Sequence, residues 1–214
     1  MLIGVDEAGR GPVLGSLFVA AVGFTDPAEL SERIADSKTL SPAVREKLAD
    51  DIRGSASELA VVEITPNVID EHPGELNRLT LEASVAAVED VLPDQETARI
   101  IADACDVSET RYRDRMIAQL PDDVNVEAYH GADGQEPIVG AASIVAKSAR
   151  EAQVAQLNET FGDLGSGYPS DPSTRAFLGT YLKNQGELPS CARHTWKTCR
   201  DLLTAVEQGK LTEF

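Results

Sequence analysis

Leu2-Ile3-Gly4-Val5-Asp6-Glu7-Ala8-Gly9-Arg10-Gly11-Pro12 is the stretch that decides the fold. Its short apolar start predicts a buried strand. Two carboxylates follow at the end of that strand, the position where α/β proteins place their ligands. The glycines beyond them allow a backbone to approach another molecule closely. The stretch therefore favours a site for a metal ion and a phosphate chain. An acid pair that only solvates a strand end beside a glycine turn is the alternative.

The charge balance is strongly acidic, with 36 acidic and 19 basic residues in 214 and a formal net charge of -17. Only six of the basic residues are lysines, and the acids are spread along the whole chain. A dispersed acidic excess keeps a protein soluble in strong salt, where the Debye length falls to about 3 Å at 1 M. We interpret the charge as adaptation to a salty cytoplasm and not as evidence against a nucleic-acid partner. An acidic surface for a basic protein partner is the alternative.

Composition also narrows the class of protein and of metal site. No apolar run approaches the ~18 residues of a membrane helix, and the start lacks a signal peptide's basic region and long apolar core. A soluble, monomeric cytoplasmic protein is expected. The three cysteines show no C-x-x-C spacing, and the three histidines are scattered. Carboxylates would therefore hold any metal, which points to Mg²⁺ or Mn²⁺.

The order of predicted elements indicates one α/β domain over residues 1–214. A hairpin comes first, and strands then alternate with helices, which predicts a mixed sheet of about five strands with helices on both faces. A helical appendage over about 165–207 completes the body. The predicted strands are residues 2–7, 17–24, 59–65, 99–103 and 124–129, and the helices are near 26–34, 42–52, 75–92, 109–120, 137–161, 173–182 and 194–208.

Three acids stand at predicted strand ends: Asp6, Asp103 and Asp133, with Glu7 beside the first. If their strands are parallel neighbours, all three end at the same edge of the sheet. Converging carboxylates repel one another unless a divalent cation neutralises them. Such a cluster is typical of two-metal phosphodiester chemistry, with ions about 3.5–4 Å apart. A regular strand would point Asp6 and Glu7 to opposite faces, so we expect the strand to end or bulge there.

The opening block, Asp6-Glu7-Ala8-Gly9-Arg10-Gly11-Pro12, resembles the signature of type 2 ribonucleases H, the ribonuclease HII family, in its archaeal form. Further blocks resemble that family in the same order and extend the resemblance over nearly the whole chain. They are residues 36–41 (D-S-K-T-L-S), 103–107, Asp133 with 141–147 (A-A-S-I-V-A-K), 165–172 and 190–198.

The resemblance implies a ribonuclease H-like fold and cleavage of the RNA strand of RNA–DNA hybrids, including 5′ of ribonucleotides embedded in duplex DNA. Products would carry 5′-phosphate and 3′-hydroxyl ends. Two ions of Mg²⁺ or Mn²⁺ would be held by the catalytic carboxylates Asp6, Glu7, Asp103 and Asp133. Asp106 lies in the same block as Asp103, but the family's ligand aligns with Asp103.

The same resemblance implies substrate-binding residues: Gly9, Arg10, Gly11, Lys38, Ser143, Lys147 and Tyr168. The Gly-Arg-Gly backbone would contact the ribonucleotide's 2′-hydroxyl, the group that separates RNA from DNA. Tyr168 would stack on a sugar, or else pack on loop prolines. Lys38 and Lys147 would meet phosphates, and a solvated helix face is the alternative for Lys147. Ser143 would hydrogen-bond the substrate or only allow close helix packing. This chain departs from the family pattern at Thr39, where the family often has a basic residue, and at Thr195, where it often has serine.

The C terminus carries a separate motif. Gln208, Leu211 and Phe214 fit Q-x-x-L-x-x-F, which resembles the box that docks replication proteins on the sliding clamp, PCNA. Residues 208–214 are therefore a candidate clamp-binding tail. A helix end that packs Leu211 and Phe214 on the body is the alternative.

Two other functions are weighed against the nuclease. The first is a dinucleotide-binding oxidoreductase that uses the glycine turn, but the G-x-G-x-x-x-G spacing departs from the fingerprint and Pro12 lacks an N–H donor. The second is a catalytically silent module that binds a hybrid or the clamp. Such a module has no reason to tolerate mutually repelling carboxylates.

Overall fold

The computed structural model describes residues 1–26, 28, 30, 34, 41–92 and 97–211. The strands of this part of the chain are β1 (Leu2–Ala8), β2 (Leu17–Phe24), β3 (Glu58–Ile64), β4 (Ala98–Asp103) and β5 (Val124–Tyr129). The helices are α1 (Pro42–Ser55), α2 (Pro66–Glu71), α3 (Leu76–Val91), α4 (Glu109–Ile117), α5 (Pro137–Phe161), α6 (Pro172–Gln185) and α7 (Lys197–Leu211). A single 3₁₀ turn, Ala132–Gly134, follows β5.

The strands form one mixed sheet in the order β3-β2-β1-β4-β5. β1 runs antiparallel to β2 and parallel to β4, and β4 runs parallel to β5. The predicted five-stranded α/β architecture is confirmed. Because β1, β4 and β5 share one direction, their carboxyl ends lie at the same edge of the sheet, where open α/β sheets bind ligands.

The chain divides into two compact units. The first comprises Met1–Ala8, Phe18–Ile64 and Asn77–Glu151 and contains the whole sheet. A Cβ on Gly4 would lie 2.2 Å from the Ile138 carbonyl oxygen, so only glycine lets β1 approach the start of α5 this closely. Asp6, two residues further along β1, faces the same side of the strand. The close approach therefore turns Asp6 towards the buried face of α5.

The second unit comprises Gly9–Leu17, Thr65–Leu76 and Ala152–Phe214. Its apolar core joins Val13 and Leu14 of the loop after β1 to Leu178 and Leu182 of α6 and to buried Cys199 of α7. The predicted appendage at 165–207 falls in this unit. The loop after β1 is thus anchored in a packed core at Val13 and Leu14, while Gly11 is exposed.

Most element boundaries follow the sequence, and the differences have local causes. The helix α2 was not predicted, because its six residues lie between the predicted strand at 59–65 and the predicted helix at 75–92 and give little periodicity. Its signal is present, since Thr65 accepts a hydrogen bond from the amide of Val68 and Pro66 occupies the first turn. The helix α7 begins at Lys197 rather than near 194, because a turn closed by the Trp196 amide on the Arg193 carbonyl precedes it. The helix expected near 26–34 lies largely outside the described residues.

No helix of the described chain is long and apolar enough to cross a bilayer.

Candidate active site

Three acids from three consecutive sheet positions meet at one edge of the first unit. Asp6 lies near the end of β1, Asp103 is the last residue of β4, and Asp133 lies in the turn after β5. One carboxylate oxygen from each residue lies within 4.8 Å of the other two. The central place of β4 in this part of the sheet is what brings the three side chains together.

Asp6 is the most enclosed of the three, with 7% of the residue exposed. The amide of Glu7 donates to Asp6 Oδ1 at 2.7 Å. The pKa of Asp6 is raised to about 7, chiefly by burial and also by the neighbouring Asp103 carboxyl, while Ser143, the Glu7 amide and Lys147 act to lower it. A carboxyl with this pKa holds its proton near neutrality until a cation displaces it.

Asp103 and Asp133 are tied to the turn after β5 and to α5. The amide of Gly131 donates to Asp103 Oδ1 at 3.0 Å. Burial raises the pKa of Asp103, the Gly131 hydrogen bond opposes this, and the Asp133 charge adds to it. Lys147 of α5 places its Nζ 4.0 Å from Asp133 Oδ2. One lysine therefore offsets part of the negative charge of the cluster.

Ser143 lies one turn before Lys147 on α5, and none of it is exposed. Its Oγ makes no hydrogen bond of ordinary geometry with any described residue. It nevertheless lies close enough to Asp6 to lower the pKa of that carboxyl. The Ser143 hydroxyl is therefore placed beside the acids, where the Asp6 carboxyl or a ligand bound there can accept its hydrogen bond.

The donor set fits a hard divalent cation. Carboxylate oxygens are the ligands that Mg²⁺ and Mn²⁺ prefer. Three such oxygens within 4.8 Å of one another match the span of a single coordination sphere. Burial is the main cause of the raised pKa values of Asp6 and Asp103, repulsion between the carboxylates adds to it, and a bound cation would offset both effects. The residues present therefore fit a metal site.

Glu7 does not belong to this group of three carboxylates. The register of β1 on β2 runs without interruption through Asp6, Glu7 and Ala8, so the expectation that the strand ends or bulges here was wrong. Pairing with β4 stops earlier, at Val5. Glu7 is half-buried. Burial is the main cause of the raised pKa of the Tyr112 hydroxyl, and the charges of Glu7 and Asp6 act in the same direction.

Asp106 has a different environment from Asp103. Its carboxylate pairs with the Arg111 guanidinium, with Arg111 Nε donating at 2.8 Å. That contact lowers the pKa of Asp106 to about 2. An ionised, arginine-paired carboxylate three residues beyond the strand end is a structural partner for α4 and lies outside the acid cluster.

The other predicted substrate residues lie in the second unit or outside the described chain. A Cβ on Gly11 would lie 3.1 Å from the Tyr168 ring, so the glycine loop rests against that ring. Tyr168 itself is 41% exposed. Lys38, like Thr39 beside it, is outside the described residues. Gln208 is exposed on α7, Leu211 ends that helix, and Phe214 is not described.

Two residues in the second unit were missed by sequence reasoning. Arg193 is fully buried against the loop after β1, and Asp70 of α2 binds the segment that follows Arg193. Their sequence signal is weak, because an arginine and an aspartate at these positions look like ordinary surface charge. The only pointer was that Arg193 falls in the block at 190–198.

The fold and the clustered carboxylates define a ribonuclease H-like nuclease. A family model described as ribonuclease HII matches residues 3–199. A ribonuclease HII of the halophilic archaeon Haloarcula marismortui is 47% identical over 214 residues, which is 100% of both chains. The crystal structure of ribonuclease H2 from Pyrococcus horikoshii is similar with a TM-score of 0.90 and 36% identity, over 97% of this chain and 99% of that one.

A second solved structure, the PCNA:RNase HII complex from Archaeoglobus fulgidus, is similar with a TM-score of 0.83 and 38% identity, over 94% of this chain and 96% of that one. The chain belongs to the ribonuclease HII family. It is an endoribonuclease that acts on RNA–DNA hybrids and depends on divalent metal ions. The oxidoreductase alternative is not supported, since a strand (β2) and not a helix follows the glycine loop.

Proposed function

We propose that this protein nicks the RNA strand of RNA–DNA hybrids and also cuts 5′ of single ribonucleotides embedded in duplex DNA, leaving 5′-phosphate and 3′-hydroxyl ends. The observation that carries the proposal is the cluster of Asp6, Asp103 and Asp133 at the carboxyl edge of β1, β4 and β5. Chromosomal DNA is the proposed substrate, so the cytoplasm is the proposed place of action, and a monomer suffices because the cluster comes from one chain.

Asp6, Asp103 and Asp133 are the proposed catalytic ligands, and Mg²⁺ or Mn²⁺ is the proposed ion. Glu7, which lies outside the group of three carboxylates, is proposed as a further ligand when two ions are bound on the family resemblance of the Asp6-Glu7 pair alone. A divalent cation bound there would supply a Lewis acid for the attacking water and for the leaving 3′-oxygen. The chain's own part is to hold the ligands in place, with Asp6 ionised only when a cation is bound beside it.

Ser143 and Lys147 are proposed to meet the scissile phosphate. Both lie on α5 beside the carboxylates, and the Ser143 hydroxyl has a free hydrogen-bonding capacity among the described residues. The Lys147 ammonium is half-exposed, with 34% of its side chain accessible, so a phosphate oxygen can reach it. A hydroxyl donor and a cation together would orient the phosphate without a second basic residue.

Recognition of the ribonucleotide is proposed to lie in Gly9, Arg10 and Gly11, which follow β1 directly in the chain. Amide N–H groups of this loop are suited to a 2′-hydroxyl and a neighbouring phosphate, and glycine leaves the backbone bare. Tyr168, exposed and in contact with Gly11, is proposed to stack on the adjacent sugar. Lys38 is proposed as a phosphate contact on the family resemblance alone.

The decisive experiment compares three duplexes of one sequence: a single embedded ribonucleotide, an all-RNA hybrid strand and DNA alone. With Mg²⁺ or Mn²⁺ at high KCl, the wild type should nick the first two and spare the third, with end groups read by phosphatase and ligase treatment. Asp103→Asn should abolish nicking, whereas Asp106→Asn should retain most of it. Nicking of the all-DNA duplex at a similar rate would refute the substrate assignment.

Clamp docking is a second proposed interaction, through Gln208, Leu211 and Phe214. It is supported by the PCNA complex of the similar Archaeoglobus fulgidus protein and by the end of α7 at Leu211, next to the motif's last residues. Deleting residues 208–214 should abolish binding to the host clamp in surface plasmon resonance and leave single-turnover nicking unchanged. Unchanged clamp binding would disprove this role for the tail.

A further inference from the structure

Arg193 is the largest fully buried side chain of the described residues, and its partners are backbone carbonyls of a loop about 180 residues earlier in the chain. Its Nη2 donates to the Gly9 carbonyl at 2.5 Å, its Nη1 to the Arg10 carbonyl at 3.1 Å and its Nε to the Gly15 carbonyl at 3.0 Å. One guanidinium thus binds both ends of the loop that carries the Gly-Arg-Gly sequence.

The orientation of these carbonyls fixes the orientation of two amides. In a planar trans peptide, the carbonyl of one residue and the N–H of the next point in opposite directions. Since the Gly9 and Arg10 carbonyls face Arg193, the N–H groups of Arg10 and Gly11 point away from it. These two N–H groups are the donors that the proposed recognition of a 2′-hydroxyl needs.

The loop needs an external group to hold this orientation. Gly9 has a φ of 100° and Gly15 a φ of 80°, and glycine adopts either sign of φ at little cost. The peptide planes beside Gly9 and Gly11 can therefore flip unless something binds their carbonyls. The rest of the loop is bound elsewhere, since the Val13 amide donates to Gly167 and the Gly15 amide to Cys191.

Arginine is suited to this task in a way that lysine is not. The planar guanidinium carries five N–H donors in a rigid fork, and it reaches three carbonyls from one side chain. The Trp196 ring lies 4.9 Å from the guanidinium carbon and covers its face. A buried cation is expensive to keep, so its retention here is better explained by positioning the loop than by a gain in stability.

Asp70 holds the turn that presents Arg193. Its Oδ2 accepts from the His194 amide at 2.7 Å, and its Oδ1 accepts from the Thr195 amide at 2.9 Å and the Thr195 hydroxyl at 2.6 Å. These groups follow Arg193 directly, and the Trp196 amide closes the turn on the Arg193 carbonyl. Asp70 therefore anchors the backbone of the arginine and the ring that covers it.

We propose that Arg193 is the positioning residue for ribonucleotide discrimination: it holds the Gly9 and Arg10 peptides so that the Arg10 and Gly11 amides face the substrate, and Asp70 keeps Arg193 in place. This inference rests on the proposed recognition of embedded ribonucleotides by the Gly-Arg-Gly loop. Arg193 and Asp70 act only on the position of the loop and take no part in cleavage of the phosphodiester bond.

The test uses the full chain and two measurements, the preference for a ribonucleotide duplex and the affinity for Mn²⁺. A general loss of structure would lower both, whereas a positioning role would lower only the preference. Fluorescence anisotropy without divalent ions compares a duplex containing one ribonucleotide with the same duplex in all-DNA form, which yields a preference ratio. Mn²⁺ titration reads the acid cluster independently. The variants are Arg193→Lys and Asp70→Asn, with the exposed Arg200→Lys and Asp122→Asn as matched controls.

We expect Arg193→Lys to reduce the preference ratio about tenfold and Asp70→Asn about threefold, with Mn²⁺ affinity within twofold of the wild type and both controls unchanged. A wild-type ratio in folded Arg193→Lys would overturn the inference and leave the proposed function standing. If Arg193→Lys does not fold, Asp70→Asn decides, and an unchanged ratio there overturns it. A wild-type ratio of one would overturn the proposed recognition and this inference together.

Discussion

The amide of Gly131 donates to Asp103 Oδ1 at 3.0 Å from a residue whose φ is 70°. The turn after β5 thus holds the carboxylate at the end of β4, and it carries Asp133 two residues later. Two of the three clustered acids therefore depend on one left-handed residue. The positions of the acids are set by a turn conformation as much as by the sheet.

Replacing Gly131 tests that dependence. A Cβ at Gly131 would meet nothing within 4 Å, so the cost of Gly131→Ala is the left-handed conformation alone, about 1–2 kcal/mol of unfolding free energy. Gly131→Asn is the matched control, because asparagine tolerates this conformation. We expect weaker Mn²⁺ binding in the alanine variant than in the asparagine variant, measured by titration calorimetry. Equal stability and affinity in both would contradict the role of the turn.

Asp6→Asn should separate stability from activity. The pKa of Asp6 is raised to about 7 in the folded protein, above the unfolded value of about 3.9. The folded state therefore holds the proton more tightly, and stability falls as pH rises from about 4 through 7. Asparagine has no such dependence. The metal-free variant should exceed the wild type by about 2–4 kcal/mol at pH 8 and match it at pH 4, while nicking is lost.

Denaturant unfolding in EDTA measures that difference. Adding Mg²⁺ should narrow it, because the wild type gains stability from the ion and the variant has lost a ligand. If the metal-free Asp6→Asn protein were less stable than the wild type at pH 8, burial would not be destabilising the ionised Asp6 carboxylate.

Metal affinity should depend on pH through the same group. Because Asp6 is protonated below a pKa of about 7 and a cation requires the ionised form, the Mn²⁺ dissociation constant should rise about tenfold per pH unit below 7. Titrations at several pH values, with proton release followed by an indicator dye, measure this. Asp6→Asn serves as control and should show a shallower dependence. A flat profile in the wild type would exclude proton competition.

Lys147→Gln should weaken substrate binding more than metal binding. Its ammonium lies 4.0 Å from Asp133 and opposes the raised pKa of Asp6. Without that charge the cluster is more negative, so Mn²⁺ should bind as tightly or more tightly, whereas a phosphate loses a cationic contact. We expect KM for the ribonucleotide duplex to rise about fivefold to tenfold. The exposed Lys183→Gln is the control, and an equal rise in both would point to a general charge effect.

Salt should stabilise the fold. The net charge of -17 makes the folded chain repel itself, and added salt screens this repulsion. The thermal midpoint should rise by several degrees between about 0.1 M and about 2 M KCl. Choline chloride at the same ionic strength separates screening from specific K⁺ binding. A midpoint independent of salt would remove the proposed link between the acidic excess and a salty cytoplasm.

The local pattern of this chain determined much of its fold. Apolar runs ending in acids predicted β1 and β4, and the Pro-headed segment at 42 predicted α1, because strand periodicity, caps and helix-starting prolines act within a few residues. The candidate acids Asp6, Asp103 and Asp133 were found in the same way, from their places at strand ends. The short helix α2 was missed because six residues give little periodicity.

Tertiary structure decided which residues meet. The sheet order places β4 between β1 and β5, and this order brings one carboxylate from each strand end within 4.8 Å of the others. It also left Glu7 outside that group, since a continuous β1–β2 register keeps neighbouring side chains on opposite faces. Arg193 and Asp70 could not be recognised from sequence, because a buried charge satisfied by distant backbone atoms has no local pattern. Hydrogen bonds to the carbonyls of Gly9 and Arg10 arise only when segments far apart in the chain pack together.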